Sequence, residues 1–408
     1  MNRLLVPALL ASAFLTTAAD WPQWRGPNRD DISKETGLLK QWPEGGPKLA
    51  WMNKDVGLGY SGYAIAGGKL FTVGLRGDTE FLIALDTKTG KELWATPVGP
   101  MLKNGWGDGP RATPTVDGDL VFAMSGTGTL LAAKTADGKE AWKAAMRDFG
   151  GKTPGWGYCE SVLVDDGKVI CTPGGGQGTL LALDKGTGKK VWQADGWTDG
   201  AHYSSPIVAT HNGTRQYIQL TSQHVAGVNA KDGKVLWKSE WPGKTAVIPT
   251  PIFKDGHVYI TSGYGVGCKL VKVGADNAVS DVYVNQNMVN HHGGVILVGD
   301  KIYGHSDKGG WTCQDFKTGA VTWSSSDLKK GAIHCADGMF YCLEEGSGTV
   351  ALIEVSAKGW SEKGRFKLTP QTEQRNPKGK VWTHPVVSDG KLYLRDQELL
   401  FCFDVKGK

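Results

Sequence analysis

The sequence predicts an all-β fold, an eight-bladed β-propeller of four-stranded antiparallel blades closed by pairing the N-terminal strand with the C-terminal blade. Three observations carry that expectation. The stretch Ala84-Leu-Asp-Thr-Lys-Thr-Gly-Lys-Glu-Leu-Trp94 recurs at Ala132–Trp142, Ala182–Trp192, Gly227–Trp237 and Cys313–Trp323, at intervals of about 40 to 50 residues, the size of a propeller blade. Paired apolar runs joined by Asp-Gly, Gly-Gly or Asn-Gly begin near Ala64, Pro114, Val162, Pro206, Pro251, Val295, Ile333 and Pro385; such dipeptides supply the positive-φ residues of a tight hairpin. The chain ends on an apolar strand at Phe401-Cys-Phe-Asp404, while Pro47-Lys-Leu-Ala-Trp51 near its start is a fourth strand lacking the other three.

Each hairpin supplies strands A and B of a blade, and each tryptophan stretch supplies C and D. The gap between Trp237 and Trp323 leaves room for two copies, one of them degenerate around Leu270–Tyr283; another degenerate copy lies at Ala351–Phe366. Joining the orphan strand at Trp51 to the last blade completes the ring and removes two free sheet edges. One repetitive domain therefore spans 47–408.

Residues 1–19 carry one basic residue, Arg3, an apolar run from Leu4 to Leu15, and small residues at Thr17 and Ala19. This is the pattern of a cleaved signal peptide, with an apolar run short of the roughly 18 to 20 residues a membrane span needs. We expect a periplasmic or secreted protein, monomeric, with no membrane anchor, since no cysteine near the cleavage site offers a place for lipid. Residues 20–46, rich in Trp and Pro without strand alternation, are expected to form an ordered irregular arm packed on the propeller. A net charge of +5 with no basic block argues against nucleic acid as a partner. Seven cysteines without a Cys-x-x-Cys spacing argue against a disulfide framework or zinc knuckle; Cys159 with Cys171 is the least implausible pair.

In a propeller, the D-to-A and B-to-C connections surround the channel on one face, where function is expected. His202, His291, His292, His334 and His384 fall before or at the start of strand A, and His224 and His305 follow strand B. These seven imidazoles are candidates for ligand binding or for bonding loop backbone, with His291-His292 the densest cluster. His211 and His257 fall at turns on the opposite face. Two loops read Gly-Trp-Gly, around Trp106 and Trp156; each ring either meets a ligand at a loop tip or folds inward as a plug. Arg111 is placed near the channel mouth, for an anion or a structural ion pair. Gly174–Gly178 is a B-to-C turn rather than a phosphate loop, because no helix with Lys-Ser/Thr follows. No metal-ligand spacing and no catalytic order of residues stands out.

The stretch at Ala84–Trp94 resembles the tryptophan-docking motif of the PQQ-like β-propeller repeat family, which includes pyrroloquinoline quinone (PQQ) dehydrogenases and BamB-like proteins. The resemblance implies that Trp51, Trp94, Trp142, Trp192, Trp237 and Trp323 pack between blades against the next repeat. The alcohol-oxidising members carry a vicinal Cys-Cys pair and hold calcium through Glu, Asn and Asp; this sequence has no Cys-Cys pair and no anchored counterpart of those ligands. The expectation is an exported, non-catalytic propeller with no cofactor, binding a protein or small ligand at its channel face. The alternative is a PQQ-dependent dehydrogenase using PQQ with calcium.

Overall fold

A computed structural model describes residues 20–407. Residues 1–19, where the signal peptide is expected, lie outside the described residues. Eight antiparallel blades of four strands follow in chain order, blades 2 to 7 spanning 115–145, 163–193, 207–240, 252–285, 295–325 and 331–367, and blade 7 carries a fifth, parallel strand from the N-terminal arm. Blade 1 comprises Ala64–Ala66, Lys69–Arg76, Thr79–Asp86 and Glu92–Pro100. Blade 8 joins Val386–Ser388, Lys391–Asp396 and Leu399–Asp404 to the N-terminal Lys48–Asn53, with Trp51 opposite Cys402 and Leu49 opposite Phe403. The split blade is therefore formed as the chain ends predict. Among the described residues, helix is confined to a 3₁₀ turn at Met146–Phe149, and no helix is long and apolar enough to cross a membrane.

Local chemistry explains the repeat. Six of the eight A-to-B turns place both central residues at positive φ, as at Asp166 and Gly167 (48° and 71°) or Asp389 and Gly390 (53° and 65°), the type I′ geometry that matches strand twist, while in blades 2 and 6 only the first, Gly118 or Gly299, is positive. In the C-to-D turn, the Asp86 carboxylate accepts from the Thr89 amide and hydroxyl, both at 2.8 Å. Asp184 with Thr187 and Asp315 with Thr318 repeat the arrangement.

The glycine closing that turn lies under the tryptophan of the preceding blade. A Cβ on Gly90 would stand 2.4 Å from the Trp51 ring, and one on Gly138 would stand 2.5 Å from Trp94. Trp142 and Trp192 lie in the same way over Gly188 and Gly233. The indole N–H groups of Trp51, Trp142 and Trp323 donate to Thr87, Lys185 and Ser356 carbonyls at 2.9 Å. Trp237 differs, donating to Gln216 within its own blade at 2.6 Å. In blade 5 Tyr283 takes the tryptophan's place, over Gly319 and donating to Phe316 O at 2.9 Å. Phe366 of blade 7 covers Gly46 before the closing strand.

All seven cysteines are free. Cys171 is buried between blades with Phe122 and Leu181, whereas Cys159 sits in a channel-face loop, its Sγ 3.5 Å from Trp156 O. The two belong to different environments and are not joined.

The N-terminal arm runs across the inner strands. Trp21 bridges Ile65 of blade 1, the Val116 amide of blade 2 donates to Pro22 O, and Trp24 Nε1 donates to Thr250 Oγ1 before blade 5. Arg29, buried, donates to carbonyls of Ser161, Val162 and Pro206 at blades 3 and 4. Arg25 donates to Val295 O of blade 6 at 2.6 Å. Ile32–Ser33 pairs in parallel with Gly331–Ala336 of blade 7, and the Trp24 ring meets His384 of blade 8 edge-on at 4.7 Å. A short segment thus touches all eight blades.

Candidate functional site

The loops before each strand A enclose a cavity of about 310 Å³ at the channel mouth. Trp24 lines both this cavity and a small void that also borders Arg25 and Asp31, so the arm closes the cavity on its channel side. Beyond it, Asp31 lies 3.5 Å from Arg25 and 2.9 Å from His334 Nδ1. Burial alone would raise this carboxyl, but Arg25 and the two neighbouring histidines hold it well below the usual carboxylate range.

Trp106 and Trp156 both face the cavity. The Trp106 ring is 44% exposed, with Lys378 Nζ 5.9 Å from its centroid, while Trp156 meets Tyr203 edge-on at 5.8 Å. Asn104 Nδ2 donates to Gly155 O at 2.9 Å and ties the two Gly-Trp-Gly loops together. Their glycines serve packing: Gly107 has φ 122°, and a Cβ there would stand 2.1 Å from the Tyr60 hydroxyl. Arg111 also faces the cavity, but its partners are the carbonyls of Gly109 and Gly107, at 2.7 and 2.8 Å, and the Tyr60 ring. The ion pair considered for it from sequence does not form among the described residues.

The histidines divide. His291, His292 and His384 line the cavity. His384 Nε2 donates to His292 O at 2.9 Å. His292 makes no hydrogen bond through either ring nitrogen among the described residues, and Nδ1 of His291 and of His305 is also unpartnered. Burial pushes His291 and His305 down to about 4, and His292 well below its ordinary value, so these imidazoles are neutral at pH 7. His305 meets Trp311 edge-on at 5.6 Å, and His202 accepts the Val247 amide at 3.0 Å; neither is on the wall. His224 pairs with Asp199 at 2.9 Å. His334 is a correction to its expected place at the loop face: strand A of blade 7 begins at Gly331, which carries His334 inside the sheet. There it is fully buried, between Asp31 and the Val387 amide.

The wall also holds residues that sequence reasoning missed. Tyr60 packs against Trp382 with the rings tilted by 47° and their centroids 5.0 Å apart, and Trp382 Nε1 donates to Glu345 Oε2 at 2.8 Å. Glu345 is the only carboxylate lining the cavity among the described residues, and burial raises its pKa. Lys378 and Lys380 stand exposed at the rim without an ion pair among the described residues, while Lys330 pairs with Asp307 at 2.9 Å. The signal was present in Lys378-Gly-Lys-Val-Trp382-Thr-His384, which precedes the last strand A as Arg111 precedes the second. Burial pushes the Cys159 thiol up to about 12, so it is not a thiolate.

A calcium–quinone centre needs several oxygen donors for its metal. Glu345 alone, already engaged by Trp382 and neighboured by lysines, does not fit that donor set, and no group of three His, Cys, Asp or Glu among the described residues is arranged to hold a metal ion. The cavity instead offers aromatic walls, a cationic rim and a buried corner of neutral imidazoles.

No curated protein matches the chain. Among solved structures, it is similar to BamB from Moraxella catarrhalis at 16% identity, covering 88% of this chain and 99% of that one with a TM-score of 0.60. It is also similar to the quinohemoprotein alcohol dehydrogenase from Comamonas testosteroni, at 13% identity over 96% and 81% of the two chains with a TM-score of 0.65. The computationally designed Ika8 protein matches at 11% identity over 88% and 100%, TM-score 0.60. At such identities these likenesses concern the fold alone. The family assignment comes from the sequence itself: residues 78–325, more than half of the chain, match the family described as outer membrane protein assembly factor BamB, and the chain belongs to that family.

Proposed function

We propose that this is an exported, monomeric binding protein that captures a small ligand, or a protruding group of a protein partner, in the channel-face cavity without transforming it. The observation that carries this reading is the convergence of Tyr60, Trp106, Trp156 and Trp382 with Arg111, Lys378 and Lys380 around a cavity floored by Trp24. Aromatic walls bury an apolar body, and a few placed polar groups orient it. Export rests on the pattern of residues 1–19.

The experiment incubates purified protein with PQQ and calcium and measures dye-linked oxidation of alcohols and sugars. In parallel, native mass spectrometry looks for small molecules retained by the wild type and lost from Ser205→Trp, which fills the cavity wall. We expect no turnover and a retained ligand sensitive to the filling substitution. Turnover would favour the quinoprotein oxidoreductase instead, and retention unchanged by Ser205→Trp would place binding elsewhere.

A further inference from the structure

The cavity wall is aromatic over most of the ring, Tyr264 and Trp382 included, and has one polar corner. Blades 1 to 4 contribute Tyr60, Trp106, Trp156 and Tyr203, while blades 6 and 7 contribute His291, His292 and Glu345. The His292 side chain is 9% exposed and borders the cavity, yet neither of its ring nitrogens is hydrogen-bonded among the described residues. Glu345 Oε2 stands 3.4 Å from its Nδ1 without forming a hydrogen bond.

Buried polar groups are normally satisfied, so this corner asks for a ligand. A neutral imidazole presents one donor and one acceptor, and a carboxylate presents acceptors only. A group that both gives and takes hydrogen bonds, a hydroxyl, completes them. A ligand made only of acceptors, such as an aromatic polycarboxylate, would face the imidazole lone pair and Glu345 with nothing to donate. The rim carries the opposite sign: Lys378 and Lys380 project at the mouth, neither of them in an ion pair among the described residues, with Glu345 the wall carboxylate on which Lys380 acts electrostatically. The indoles demand an apolar ring face.

Hydroxyls, an apolar ring face and an acid group occur together in acidic sugars. We propose that the cavity holds an acidic saccharide, its ring against Trp106 and Trp156, its hydroxyls on His292 and Glu345, and its carboxylate or sulfate at Lys378 and Lys380. The proposal rests on the binding reading above and names the class of ligand.

The test is isothermal titration calorimetry of the purified protein with four probes: tetragalacturonate, a chondroitin sulfate tetrasaccharide, maltotetraose and benzene-1,3,5-tricarboxylate. At least one acidic tetrasaccharide should bind about tenfold or more tightly than maltotetraose, and which one binds distinguishes carboxylate from sulfate. The Lys378→Gln, Lys380→Gln double variant, altered only at the exposed rim, should lose that margin. His292→Phe should weaken the acidic saccharide by about tenfold at unchanged salt dependence. If the tricarboxylate binds as tightly as the saccharides, the cavity takes anions irrespective of hydroxyls and the saccharide proposal fails while the binding reading stands. If no saccharide binds, or maltotetraose binds equally well, the proposal is overturned; the retention assay above judges the broader reading separately.

Discussion

Replacing Arg29 by Met tests whether the arm holds the ring together from its centre. Methionine keeps an unbranched apolar stem and removes the guanidinium, which donates to carbonyls of Ser161 (3.0 Å), Pro206 (2.8 Å) and Val162, and to Gln23 Oε1 (2.9 Å). Val162 O keeps the Thr115 hydroxyl at 2.6 Å, so the Ser161 and Pro206 carbonyls are the ones deprived of their donor. A buried acceptor left unpaired costs about 1–3 kcal/mol, or about 2–6 kcal/mol for the two. The guanidinium's own burial is unfavourable, enough to depress its pKa to about 9, and its removal returns part of that sum. A net loss of about 2–4 kcal/mol follows. The assay is urea unfolding followed by tryptophan emission, with the slope unchanged and the midpoint lowered. Arg29→Lys, which can reach fewer of the carbonyls, should fall between wild type and Arg29→Met. A loss below about 0.5 kcal/mol for Arg29→Met would refute the reasoning, because the arm would then be a passenger on a self-sufficient ring.

Gly138→Ala and Gly118→Ala both place a side chain at positive φ (74° and 66°), but only the first drives a Cβ into the Trp94 ring; we expect about 1 kcal/mol lost at Gly118 from backbone strain and about 2–4 kcal/mol at Gly138 once overpacking is added, measured as a difference in urea midpoints. Burial raises the Glu160 carboxyl to about 8, so the folded state binds more protons than the unfolded state between about pH 4.5 and 8. That group's contribution is therefore unfavourable to folding as pH rises through this window, so the wild-type thermal midpoint should decline between pH 5 and 9 and Glu160→Gln should lose that part of the decline. Cys159, with its thiol pushed up to about 12, should resist iodoacetamide at pH 8 in the native protein although it borders the cavity; rapid alkylation under native conditions would contradict this.

The propeller was legible because its turns are chemical. Asp-Gly at Asp166 or Asp389 and Asp-x-x-Thr-Gly at Asp86 dictate local backbone whatever surrounds them, and the closing strand at Trp51 follows from counting strands. Substitutions at the tryptophan position hid where other aromatics fill the same space: Tyr283 retains both the ring and the hydrogen bond, but its turn has lost the Gly-Lys signature. The arm was legible as a packed segment and opaque as a path, since Arg25 and Arg29 adopt positive φ (60° and 55°) that only their tertiary partners enforce. At the cavity, loop position sufficed to gather Trp106, Trp156, Arg111, His291, His292 and His384 on one face. It could not tell His334, three residues inside a strand, from His384, just outside one. Nor could it assign Glu345 or Trp382, whose relevance arises from a contact between the seventh and eighth blades.

The arm has a consequence in time. Its residues are among the first of the described chain to be synthesised, yet their partners extend from Ile65 to Lys406. Arg29 cannot satisfy its guanidinium until blades 3 and 4 stand side by side, and Asp31 waits for His334 near the other end of the chain. The segment therefore has its full set of bonds only in the closed ring. Contacts of such long sequence separation carry a loop-closure cost that local turns do not, and the cavity has its floor only when the arm is seated on the assembled ring.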